Sequence, residues 1–186
     1  MGCGPSHDDR QLLTELHTQH TQIQLYIACA EGQVDAARLL LDKGADVNQA
    51  NKNGATPLHI ACGQGHIDAA RLLLDRGAEV DRATESGLTP LIIACVNGHV
   101  DAARLLLDNG AEVDRATKNG QTPLFIVCGN GHVDAARLLL DKGAEVNRAT
   151  ESGYTPLDAA KGEGHSAVVA LLKKWGASES GGCMVC

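Results

Sequence analysis

The sequence predicts an all-α repeat solenoid, a row of short helix-turn-helix units joined by β-hairpin loops. Three observations lead there. A stretch of 33 residues recurs in register, most clearly from Asn51 as NKNGATPLHIACGQGHIDAARLLLDRGAEVDRA, then from Thr84 and from Thr117. A shorter copy starts at Thr150 and a degraded one occupies residues 18–50. A fixed period of this size is what stacked supersecondary units leave in a sequence. Within each copy, Gly and Pro bracket two short runs with helical apolar spacing. Finally, 44% of residues are apolar but only Tyr26, Phe125, Tyr154 and Trp175 are aromatic, so the core must be Leu, Ala, Ile, Val and Cys.

Taken in order, residues 1–17 form an N-terminal tail. Its first ten residues are small and polar and read as flexible. Asp8 or Asp9 caps a short helix over 11–17, whose Leu12, Leu13 and Leu16 cover the open end of the stack. The repeat domain spans 18–178, divided at 18–50, 51–83, 84–116, 117–149 and 150–178, and a second tail covers 179–186. In the 51–83 copy, Thr56 caps a first helix with Pro57 at its first position, where a missing N–H costs nothing. Leu58, Ala61 and Cys62 share one face; Gly63 and Gly65 end the helix. His66 enters a second helix with Ala70, Leu73 and Leu74 on its buried stripe, and Gly77 stops it. The GAEVDRATESG stretch returns as a hairpin to the next Thr-Pro. Helices this short are marginal alone and depend on stacking against neighbours. The last copy should then be wettable, and it carries Lys161, Ala170, Lys173 and Lys174 where inner copies have Cys, Arg, Leu and Asp.

At Gly54, Thr56-Pro57-Leu58-His59, Gly65-His66, Leu72-Leu73-Leu74 and Gly77-Ala78, the pattern resembles the ankyrin repeat, over roughly residues 18–178. The resemblance implies L-shaped units, two antiparallel helices plus a hairpin, in a curved solenoid. It further implies protein binding through hairpin tips and the concave face of the first helices. The His of Thr-Pro-Leu-His is kept only at His59, and the first copy has Ile23-Gln24 where Thr-Pro belongs.

Two ladders look chemical. His66, His99, His132 and His165 recur once per copy, as do Cys29, Cys62, Cys95 and Cys128. Packed helices lie about 8–10 Å apart, whereas zinc needs ligands about 2 Å from one centre, so one residue per layer cannot converge. The histidines read as turn-stabilising groups that bond neighbouring backbone, and the cysteines as small buried hydrophobes. Asp68, Arg71 and Asp75, repeated in the other copies, read as a solvated face laced with ion pairs. No catalytic triad, phosphate loop or dinucleotide turn is legible, so neither enzyme, metal, cofactor nor small-molecule substrate is expected. A net charge of −7 without a basic cluster argues against nucleic acid.

The informative positions are those that vary between copies. Lys52, Glu85, Lys118 and Glu151 alternate at the hairpin tips. Ala55, Leu88, Gln121 and Tyr154 precede the Thr-Pro; His59, Ile92, Phe125 and Asp158 vary on the first helix. Leu88, Ile92, Val96, Phe125 and Tyr154 form an apolar patch for a protein partner. The tails address location. Met1-Gly2-Cys3-Gly4-Pro5-Ser6 fits N-myristoylation at Gly2, with Cys3 available for palmitoylation as the second anchor that stable attachment requires. Cys183-Met184-Val185-Cys186 fits prenylation of Cys183, with Cys186 an atypical last residue. The expectation is a monomeric scaffold or adaptor, cytoplasmic and lipid-anchored at the cytosolic face of a membrane. The alternative is a soluble adaptor or inhibitor of a signalling or transcription protein.

Overall fold

A computed structural model describes residues 7–178. The described residues form ten helices: α1 (His7–Ala30), α2 (Val34–Asp42), α3 (Pro57–Gly63), α4 (Ile67–Asp75), α5 (Pro90–Val96), α6 (Val100–Asp108), α7 (Pro123–Gly129), α8 (Val133–Asp141), α9 (Pro156–Gly162) and α10 (Ser166–Lys174). The odd-numbered helices pack side by side in one row and the even-numbered ones in a second, with each repeat's pair linking the rows. Leu58, Leu73, Leu91, Leu106, Leu124, Leu139, Leu157 and Leu172 lie fully inside, two from each of the last four repeats, and with Leu25 of the first make one continuous core.

Local chemistry sets each boundary. Thr89, Thr122 and Thr155 stand in extended backbone before Pro90, Pro123 and Pro156. Their hydroxyls accept from the backbone N–H three residues on, at 3.2, 3.2 and 3.3 Å. The loops keep a hairpin's closing bonds: Thr84 N–H donates to the Leu88 carbonyl at 2.9 Å, and Thr117 to Gln121 at 3.0 Å. Their legs are too short for a regular ladder, and none of the described residues is in a strand. Successive loops also join, Glu85 N–H to the Asn53 carbonyl at 3.3 Å and Glu151 N–H to that of Asn119 at 3.3 Å.

The first unit departs from expectation. Residues 7–30 are one helix, so the separate cap over 11–17 and the boundary at 18 do not exist as breaks in the chain. The reason is local: no Gly or Thr-Pro interrupts residues 11–30, and Ile23-Gln24 continues the helix. Asp8 and Asp9 fall inside the helix rather than before it, and Leu16 is 54% exposed instead of covering the stack. Gln22 takes over the missing loop's work. Its amide donates to the Asp46 carbonyl at 3.1 Å and accepts from Asp46 N–H at 3.0 Å. The Tyr26 hydroxyl donates to the Ala55 carbonyl of the next repeat at 3.0 Å.

Each repeat locks to the next through the Gly-His pair. His66, His99, His132 and His165 direct Nε2 at the carbonyls of Ala30, Gly63, Val96 and Gly129, at 3.0, 3.1, 3.4 and 2.9 Å. A carbonyl only accepts, so Nε2 carries the proton. Gly65 sits at φ +73°, and a β-carbon there would lie 2.8 Å from the Nδ1 of His99. Gly77, at φ +84°, has open space. Alanine at either position suffers the left-handed backbone cost of about 1–2 kcal/mol. Gly65→Ala must also push His99 off its carbonyl, adding about 1 kcal/mol. Urea unfolding should therefore show Gly65→Ala clearly less stable than Gly77→Ala; equal midpoints would rule out the interlock.

Candidate functional site

Both ladders prove structural. Cys29, Cys62, Cys95 and Cys128 are buried free thiols, and burial pushes each up to about 12. A thiol so far from ionising packs as a small hydrophobe. Among the described residues, no group of three or more His, Cys, Asp or Glu is placed to hold a metal ion. The Asp68/Arg71/Asp75 face is exposed as expected, but its ion pairs run elsewhere. Arg76 reaches back to Asp42 at 2.8 Å and Lys142 to Asp108 at 2.6 Å, each joining two repeats. The residue after the second helix overhangs the preceding repeat, whereas Arg71 points to water. Lys142 holds the Asp108 carboxyl below its usual range. At such exposure solvent and salt screen these pairs, and their contribution to stability is small.

The variable positions separate into four sets. Lys52, Glu85, Lys118 and Glu151 are exposed at the loop tips. Leu88, Val96, Gln121 and Phe125 come together, with Ile126, Gly129, Asn130, Ala159 and Glu163, around an open groove of about 610 Å³. Ala55 is half-buried and Tyr154 is 60% exposed, and neither lines this groove.

His59 and Ile92 are corrections. They are 2% and 0% exposed and cannot meet a partner directly. This position is the third residue of the first helix, directly above the cap, and faces the following repeat. His59 Nδ1 accepts from Thr56 N–H at 3.1 Å, and its Nε2 donates to the Leu88 carbonyl at 3.1 Å. Asp158 performs the same capping task, its carboxylate accepting from Thr155 N–H at 2.8 Å and from its hydroxyl at 2.7 Å. Ile92, unable to cap, goes into the core. Only Phe125 at this position reaches the groove. Variation between copies thus marks alternative ways to finish a helix as well as surface.

Two kinds of residue were missed. Ile126 lines the groove, but Ile60, Ile93 and Ile126 are identical between copies, and a reading confined to differences passes over them. Asn130 is the groove's polar wall, its amide donating to the Val96 carbonyl at 3.1 Å. The second omission is a bracket between repeats. Asn48, Asp81, Asp114 and Asn147 accept from the backbone N–H of Glu79, Glu112, Glu145 and Ser178, at 2.9, 3.0, 3.0 and 2.9 Å. The Val-Asp and Val-Asn pairs of the repeat carried that signal, as an Asx side chain at one fixed place per copy.

A family model described as Ankyrin repeats (3 copies) matches residues 25–117 and 114–180. The chain belongs to the ankyrin-repeat family. A comparison with curated proteins gave no match. Ankyrin repeats generally mediate protein–protein interaction. In this ankyrin array Val96 departs from the repeat, since the copies on either side have Gly63 and Gly129. Val96 is 40% exposed beside Phe125, so two side chains larger than their counterparts meet at one place.

His59 also gives the array a pH response. Burial is the main cause holding its imidazole below the usual value; nearby Arg82 acts the same way, against the hydrogen bond to the Leu88 carbonyl. The unfolded chain takes up this proton near pH 6.5, the folded chain only below that. Between the two values the unfolded state binds more protons, so stability rises with pH. The contribution is complete above about pH 6.5 and is lost as pH falls toward the folded value. Urea unfolding at about pH 7.5 and about pH 5.5 should show a smaller loss for His59→Gln than for the wild type. Equal losses would contradict the neutral, capped histidine.

Proposed function

We propose that this ankyrin array is a protein-interaction scaffold whose partner docks in the groove of Leu88, Val96, Gln121, Phe125 and Ile126, and that lipids hold it at a membrane. The carrying observation is the coincidence of Val96 and Phe125, each larger than its counterparts in the other copies, in one open groove with a mixed polar and apolar lining. Interior positions of the repeat have an evident structural task. Val96 is 40% exposed and Phe125 partly so, and adjoining apolar side chains left at the surface often mark a contact. A lining that mixes Leu88, Val96, Phe125 and Ile126 with Gln121, Asn130 and Glu163 suits a segment that offers one or two apolar side chains between polar groups.

Gly2, Cys3 and Cys183 lie outside the described residues, and their part in the reading rests on the sequence motifs alone. No helix among the described residues is long and apolar enough to cross a membrane. A membrane-bound form would therefore rely on attached lipid, and one myristoyl chain without a second anchor binds only marginally.

Two measurements test the two halves. A binding protein retained by the wild type should be lost with Val96→Glu and weakened by Phe125→Ala by about 1–2 kcal/mol, roughly five- to thirtyfold in Kd. Arg71→Ala, on the opposite solvated face, should leave it unchanged. Equal retention by all four chains would remove the groove from the account. Ile92→Ala is unsuitable, because emptying that buried site costs about 2–5 kcal/mol of stability. For location, wild type should pellet with membranes, and Gly2→Ala combined with Cys183→Ser should release it. A wholly soluble wild type would favour the adaptor without membrane attachment.

A further inference from the structure

The groove beside Val96 carries a charge of its own. Among the described residues that line it, Glu163 alone is ionisable. Glu163 follows α9 at a place that Gln64, Asn97 and Asn130 fill in the preceding repeats. The asparagines there have a structural task. The Asn97 amide donates to the Gly63 carbonyl at 3.1 Å and the Asn130 amide to the Val96 carbonyl at 3.1 Å, each tying its repeat to the one before. A carboxylate only accepts, so Glu163 cannot repeat that bond. It is exposed, and among the described residues no hydrogen bond or ion pair reaches its carboxylate. The nearby cations are turned elsewhere. Lys161 lies with Lys173 on the terminal face of the stack. Lys118 stands between Glu85 and Glu151 in the row of loop tips, where its N–H donates to the Ser86 carbonyl at 3.4 Å. Gln121 marks the opposite end of the groove, before α7, whereas Glu163 follows the parallel α9. The side-chain amide of Gln121 makes no hydrogen bond among the described residues, so it offers a donor and an acceptor. The seven residues of α7 rise about 1.5 Å each, which sets the two ends on the order of 10 Å apart. An extended chain covers that distance in about three residues.

We propose that the occupant of the groove is a short extended segment of a partner protein, with Lys or Arg about three residues from an apolar side chain. The proposal rests on the groove being the partner's docking site. The apolar side chain lies on Val96, Phe125 and Ile126, the segment's backbone pairs with the Gln121 amide, and the cation meets Glu163. A helix would arrive with its backbone groups already bonded and could not use that amide. An acidic segment would set a second carboxylate against an unpaired one. The chain's own ends lack the cation: residues 1–6 and 179–186 contain no Lys or Arg, and the second stretch brings Glu179. A net charge of −7 adds a general attraction for a basic partner. An exposed pair contributes little affinity, so Glu163 acts chiefly in selecting which apolar segment is held.

Selection of short random peptides displayed on phage, with the full chain as bait, tests this. Peptides retained by wild type should share Lys or Arg about three residues from Leu, Ile, Phe or Met. The tightest of them, made with a fluorescent label, should bind Glu163→Lys about five- to tenfold more weakly by fluorescence polarisation. Used as bait, Glu163→Lys should instead retain peptides with Asp or Glu at that place. Glu163→Asn carries the residue of two other copies, so it keeps the fold and should lose the preference for a cation. It decides should Glu163→Lys unfold. Retained peptides without a basic residue overturn the proposal. Peptides that Val96→Glu loses but both Glu163 variants hold as tightly as wild type also overturn it, and leave the groove as the docking site. Peptides that bind Val96→Glu as tightly as wild type, or no retained peptide at all, overturn the docking site itself.

Discussion

Pro57–Gly63 is seven residues long, about two turns, and such a helix cannot hold itself together in water. Its survival depends on the contact between one repeat and the next. That contact has four parts, and all are local in the stack. Leucine and alanine faces bury against the neighbouring unit. A histidine donates to a carbonyl of the preceding repeat across a glycine with no side chain to obstruct it. An Asn or Asp brackets the following loop, and the loop tips join backbone to backbone. Every one of these reaches a single repeat forward or back. Remove the neighbour and the same nine residues leave Leu39 in solvent where Leu138 is buried.

Much of this was legible because repetition averages out local noise. The period, the Thr-Pro starts, the glycine stops and the helix pairs recur often enough that one weak copy does not mislead. Geometry alone disposed of the histidine and cysteine ladders, since layers of a stack cannot converge on one ion. The first unit was harder. Without the Gly and Thr-Pro breaks, residues 7–30 make a single helix, and the sequence offered a familiar repeat boundary where the chain has none.

The candidate site was legible in part, for a physical reason. Treating differences between copies as surface gathered Leu88, Val96, Gln121 and Phe125, which do share a groove. It also gathered His59 and Ile92, which are buried, because the third position of a first helix can be filled either by a capping side chain or by a core one. Periodicity tells which residues share a face. It does not tell which of two adjacent faces the next repeat will cover. Ile126 and Asn130 were overlooked from the other side, as constant or near-constant residues that become surface only where Val96 and Phe125 widen the gap beside them.

If stability resides in contacts between nearest neighbours, a whole repeat is removable while part of one is not. Deleting residues 84–116 brings Ala83 directly to Thr117, sets His132 against Gly65 and Glu145 against Asp81, and leaves every local partner of the right type. Urea unfolding of that shortened chain, followed by far-ultraviolet circular dichroism, is the most direct test. The account predicts a cooperative transition at a lower midpoint, with helical signal per residue close to that of the intact protein. A chain that shows no cooperative transition would contradict it.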